Sequence, residues 1–167
     1  MIMQINRNTK TDPVEEIKKW LKDFAKCVQT KNFEQGKTMF SPDCWCFGSY
    51  AQILNDLDDL VENQWKQIWP NITDFEFDLN KLHFQFSPDK YMACVMAPWT
   101  SVGYHLDGMP YERPGRVSIL LTKEPGQGAW LAYHTHYSLN PGTPQLTQRP
   151  DHSSQLLFDD ILSYNER

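Results

Sequence analysis

Two imidazoles stand two residues apart near the end of this chain, in the run Trp130-Leu131-Ala132-Tyr133-His134-Thr135-His136-Tyr137-Ser138. Side chains alternate across a strand. One parity therefore carries Trp130, Ala132, His134, His136 and Ser138, and the other carries Leu131, Tyr133, Thr135 and Tyr137. An imidazole titrates near neutral pH and suits proton transfer. His136 is the expected proton-transfer group, facing a pocket, with His134 beside it. Their ring-bearing carbons would lie about 6–7 Å apart, a spacing that a metal can bridge. A metal site wants further ligands, and no carboxylate follows the pair, so neither metal nor cofactor is expected. Arg116 opens the preceding strand and is assigned to the cavity mouth, where a guanidinium grips a carboxylate through two hydrogen bonds. His134 and Arg116 would steady a developing anion, while Trp45, Tyr50 and Trp99 wall the cavity. Tyr133, Thr135 and Tyr137 form a face without charge and are assigned to a subunit contact.

Other chemistry has weaker support. Cys46 shows no cue for a stabilised thiolate. Asp56, Asp58, Asp59 and Glu62 lack the glycine and spacing of a calcium loop and read as a solvated helix start. Cys44 and Cys46 lack the second pair that a structural zinc site needs.

The 167 residues fit one domain around a single core. Six Trp, seven Tyr and nine Phe are enough to line a cavity as well as fill a core. A net charge of −5 argues against nucleic acid, whose partners carry a basic footprint. No apolar run is long enough to span a bilayer, so no membrane partner is expected. The first ten residues lack a secretory pattern, and the four cysteines read as buried thiols. Both observations place the chain in the cytoplasm.

These residues need elements to position them. Residues 1–11 read as a disordered lead. Asp12 and Pro13 open a helix, with Glu15 completing a capping box. Val14, Ile17, Leu21, Phe24, Ala25 and Val28 form its buried stripe. Asn32 caps a short second helix, and a strand follows from Cys44 to Tyr50. Asn55 or Asp56 caps a third helix that ends at Pro70. Phe75, Phe77 and Leu79 then share one parity, whereas Leu82, Phe84 and Phe86 take the other. That switch implies a bulge near Asn80 and Lys81. Pro98 marks a second bulge or an edge. Arg116 to Lys123 and Ala129 to Ser138 are the last strands. The tail, 143–167, has a short helix bearing Leu156, Leu157, Ile161 and Leu162, capped by Ser153 or Ser154. Helices followed by a bent antiparallel sheet give an α+β fold, a cone whose open end suits a small-molecule pocket.

The order of a capped helix, Lys31-Asn32-Phe33-Glu34, Phe40-Ser41-Pro42-Asp43 and the Trp…His-x-His-x-Ser ending resembles the nuclear transport factor 2-like superfamily in its SnoaL-like branch. Within it the chain is similar to the association domain of calcium/calmodulin-dependent protein kinase II. The resemblance covers about residues 12–142. It implies a cone-shaped fold, a homodimer through the convex sheet face, and pocket arginines, a role given to Arg116. Function in the superfamily ranges over isomerases, cyclases, dehydratases and noncatalytic assembly domains, so fold alone cannot choose. The isomerase mechanism needs a carboxylate base on the first strand, and no Asp or Glu occurs from Cys44 to Asn55. Two readings stand. One is a small-molecule-binding protein acting without a cofactor, by acid–base chemistry of isomerase, cyclase, dehydratase or hydrolase type, on a small organic acid or polyketide-like ligand. The other is a noncatalytic homo-oligomerisation module.

Overall fold

The computed structural model describes residues 12–126 and 128–149. The expected lead and the expected tail helix lie outside these residues. Helix α1 (Pro13–Thr30) starts where Asp12 accepts a hydrogen bond from the Val14 amide and ends where Lys31 turns left-handed, φ 55°. Glu15 closes no capping box; it pairs with Lys18 instead. The buried face carries Ile17, Trp20, Leu21, Phe24, Ala25, Cys27 and Val28. Asn32 caps α2 (Phe33–Lys37) through the Gln35 amide.

Strand β1 (Phe40–Phe47) begins earlier than expected, because it runs through Ser41-Pro42-Asp43 with a register shift between Phe40 and Trp45. Asp56 caps α3 (Leu57–Leu60). The helix then widens into a π-helical turn, Val61–Trp65, before α4 (Lys66–Ile68) and a 3-10 turn, Trp69–Asn71. The remaining strands are β2 (Thr73–Phe77), β3 (His83–Phe86), β4 (Met92–Tyr104), β5 (Pro110–Glu112), β6 (Gly115–Thr122) and β7 (Leu131–Leu139).

The sheet runs β1-β7-β6-β4-β2, with β3 and β5 also on β4. Every pairing is antiparallel except β1 with β7. The parity switch near Asn80 falls where pairing along β4 breaks between β2 and β3. Phe75 and Phe77 face the core, and Phe84 and Phe86 pack against it. Pro98 makes no bulge: burial in β4 alternates without interruption through it. Its missing N–H lies on the side where its carbonyl accepts from Asp78, and the β2 ladder along β4 ends there, at the gap before β3.

A bulge does occur in β7, and it decides which residues face inward. Ala132 pairs with Leu121, but His134 pairs with Leu120, so Tyr133 is the extra residue. Ala132, Thr135 and Tyr137 thus point into the cone, while His134, His136 and Ser138 point out. The single parity expected for the last strand is corrected by this slip. Residues 143–149 then cross the open end as a strap. There the Thr147 hydroxyl accepts from the Tyr104 amide and donates to the Asn71 carbonyl.

Candidate functional site

A cavity of ≈ 40 Å³ lies between α1, the π-helical turn and the concave face of the sheet. By the same measure a water occupies some 10–15 Å³, so the space suits a group of a few heavy atoms. Its walls include Phe24, Trp65 and Phe75, and its polar lining comprises Ser49, Gln64, Trp99, Arg113, Thr135 and Tyr137.

Arg113 is the dominant group. Its backbone pairs with Ser101 in both directions, carrying the β4 register across from β5 to β6. Residues 113, 115, 117, 119 and 121 therefore share the inward face with the core residues Val117, Ile119 and Leu121. Arg113 is only 1% exposed. Its Nη2 donates to the Ser49 hydroxyl at 3.2 Å, and its guanidinium lies 5.4 Å from the Trp99 ring centroid. Among the described residues no carboxylate forms an ion pair with it. Burial lowers its pKa to about 10, with Tyr111 opposing the shift, so it remains a cation at neutral pH.

Two more donors belong to residues that line the same space. Arg113 Nε, Trp99 Nε1 and Tyr137 Oη are buried without a hydrogen-bond partner, and all three residues line the cavity. Buried polar groups are normally satisfied, and an orphan costs about 1–3 kcal/mol. Burial pushes the Tyr137 phenol well above its ordinary pKa, so its proton is available to donate. Three orphan donors, one of them charged, suit an acceptor that bears negative charge.

Gln64 fixes the rim. Its Oε1 accepts from the Tyr50 and Ala51 amides, and its Nε2 donates to the Ser49 hydroxyl. The π-helical turn aims it there, and such turns recur at functional sites. A Cβ on Gly48 would sit 2.0 Å from Gln64 Oε1, so that close approach requires glycine.

The structure separates the residues singled out from the sequence. Trp99 lines the cavity, 3% exposed, and Tyr50 sits half-buried at its rim beside Gln64. Trp45, 50% exposed, lies on the outer face with its ring 4.1 Å from that of His134. His134 Nδ1 also bonds the Trp45 carbonyl. His136 is exposed on that same face against Phe47. Arg116 is exposed too, and its Nε donates to the Ser138 hydroxyl. His136 and Arg116 line an open outer groove with His83 and Met96 instead of the cone. Their expected place in the cavity is corrected: the Tyr133 bulge turns the histidines outward, and an odd step along the strand puts Arg116 opposite Arg113. Thr135 and Tyr137, expected at a subunit contact, are inside for the same reason.

Sequence reasoning missed Arg113, Gln64 and Ser49. The signal for Arg113 was its parity with Val117, Ile119 and Leu121, hidden by starting the strand at Arg116. Cys46 is also better placed than expected. A hydrogen bond from Cys44, aided by Thr135, lowers the Cys46 thiol below its ordinary pKa against the opposing effect of burial, while Cys44 is raised. Cys46 is buried and does not line the cavity. Among the described residues no cluster of three or more His, Cys, Asp or Glu is placed to hold a metal. No helix among them is long and apolar enough to cross a membrane.

Residues 17–141 match the model of the SnoaL-like domain. The chain belongs to the SnoaL-like domain family. Its fold is shared by solved structures of low identity. A nuclear transport factor 2-like superfamily protein from Salmonella enterica has a TM-score of 0.65 at 19% identity, over 79% of this chain and 94% of that one. A putative dehydratase of the NTF2-like family from Streptomyces avermitilis has a TM-score of 0.63 at 14% identity, over 77% and 97%. A putative calcium/calmodulin-dependent protein kinase II association domain from Xanthomonas campestris has a TM-score of 0.63 at 16% identity, over 77% and 88%. At such identities the likeness establishes the fold alone. No curated protein matches the chain.

Proposed function

We propose that this SnoaL-like protein binds a small organic acid in the cone, with its carboxylate held by Arg113, Trp99 and Tyr137. The observation that carries this is the buried Arg113 cation, which has no acidic partner among the described residues and lies beside two further orphan donors. A carboxylate supplies the missing charge and acceptors together. The cavity volume favours a small acid over a fused-ring polyketide. Binding is better supported than turnover. Among the described lining residues only Arg113 and Tyr137 ionise, and both hold their protons at neutral pH. Acid–base catalysis on the bound acid would need a base from outside this lining.

The test is acetate and propionate titration of the wild type, Arg113→Met and Arg116→Ala, followed by NMR. Losing one charge-assisted contact costs about 1.5–3 kcal/mol, roughly a 10- to 150-fold weakening. That loss is expected for Arg113→Met, with no change for Arg116→Ala. Equal affinity in wild type and Arg113→Met would refute the reading.

A second reading, homodimerisation through the outer sheet face, is favoured by the exposed Trp45, Phe47, Met92, Met96 and Tyr133. Such a patch suits a protein contact, and the putative association domain from Xanthomonas campestris shares the fold. Sedimentation of the wild type should give a dimer that Met96→Glu dissociates; a monomeric wild type at micromolar concentration rejects it. The cytoplasm is the proposed location, in keeping with four free thiols.

A further inference from the structure

Arg113 is only 1% exposed, so a ligand gains its guanidinium only when a covering segment moves. The segment over it is the loop 48–53, whose ends are held by the paired Cys46 and Leu54 backbones. Ser49 is the pivot of this loop. Its hydroxyl accepts from both Arg113 and Gln64. Its carbonyl accepts from Gln145 Nε2, which reaches across from the strap. The strap itself is anchored elsewhere, by Thr147 and Arg149 on Asn71, by Thr147 and Gln148 on Tyr104, and by Leu146 on the Tyr111 hydroxyl. Gln145 thus joins a fixed strap to a loop that covers the charged site.

We propose that loop 48–53 is the gate to the Arg113 site and that Gln145 is its outer latch. The proposal rests on the reading of Arg113 as the ligand's anchor. The Ser49 hydroxyl occupies Arg113 Nη2 in the closed state, where an incoming carboxylate would make the stronger, charge-assisted bond. Displacing Ser49 frees it from Arg113 and loosens its hold on Gln64, so ligand entry and loop release are one event. The latch is a single neutral hydrogen bond on a largely exposed residue, which allows opening at modest cost.

The test needs no ligand. In the full-length protein labelled with nitrogen-15, proton exchange with water is measured at the Tyr50 and Ala51 amides and at Arg113 Nε. Gln145→Ala should speed all three by about 2- to 13-fold, the factor that one neutral hydrogen bond carries. Gln145→Glu, which sets a carboxylate against the Ser49 carbonyl, should do so at least as strongly. Exchange at Trp130 Nε1, held by Glu16 far from the strap, should not change. Faster loop amides with unchanged Arg113 Nε exchange would show that the loop is not the route. No change at any site would show that Gln145 is no latch. Acetate separates this from the ligand reading. Slowed Arg113 Nε exchange in wild type supports the anchor, whereas its absence sinks the anchor and leaves the latch result standing by itself.

Discussion

Arg113 and Arg116 are three residues apart on one line of pairing to β4, and they occupy opposite environments. Arg113 is enclosed by Trp99, Ser49 and the concave sheet face. Arg116 lies on the outer face, bonded to the Ser138 hydroxyl. The same inversion divides β7: Thr135 and Tyr137 enter the cone, and His134 and His136 leave it. One face collects unpaired donors inside a wall of aromatics. The other displays imidazoles, a guanidinium and large apolar groups to whatever meets it. Residue chemistry therefore does not mark the site. Burial gives the inner donors their force, because an unpaired charge is costly only away from water.

The largest expected difference between the faces is in packing. Trp99 is buried against Phe75 and Tyr137, whereas Trp45 rests on His134 in the open. Trp99→Ala should cost about 3–5 kcal/mol of stability. Trp45→Ala should cost under about 1 kcal/mol, as surface changes do. Urea denaturation of both variants decides it. Similar losses would mean that the outer face is also packed, which a dimer there would produce.

Much of the fold was legible because periodic burial writes it into the chain. The α1 stripe, the Asp12, Asn32 and Asp56 caps and the parity switch around Asn80 each follow from local physics. The site was less legible because strand parity holds only while register holds. One extra residue, Tyr133, reversed the faces of both histidines and of Thr135 and Tyr137, and no Gly or Pro marked it. Pro114 interrupted the apparent start of β6 and hid Arg113 from its own parity set. Gln64 lies within the expected third helix, but nothing local marks it, because its role depends on a loop more than ten residues away.

A smaller effect separates an orphan from a satisfied group. Tyr137 Oη is buried with no partner, so Tyr137→Phe removes a polar group without breaking a bond. The variant should be about 1 kcal/mol more stable than wild type without ligand, since an unsatisfied hydroxyl carries that penalty. It should also bind acetate more weakly. Thermal unfolding with and without acetate checks both signs. Destabilisation in the absence of acetate would mean that the hydroxyl already has a partner, and the inner face would lose one of its three donors.

The smallest expected effect concerns a buried indole that does have a partner. Trp130 Nε1 and Lys123 Nζ both donate to Glu16 Oε2 at 2.8 Å, tying α1 to the end of the β6–β7 hairpin. Burial works against ionisation, but these two hydrogen bonds outweigh it and hold the Glu16 carboxyl below its ordinary pKa. A folded-state pKa below the unfolded one contributes stability above the ordinary glutamate range, ~4.3. That contribution disappears as pH falls through the lower folded value. The ion pair is partly exposed, so about 0.5–1 kcal/mol is expected at pH 7. Glu16→Gln should lose that amount at pH 7, and the gap to wild type should close in acid. A gap that stayed constant with pH would mean that Glu16 acts through shape and not charge. The contrast between the compensated charge of Glu16 and Arg113, which has no acidic partner among the described residues, would then need another basis.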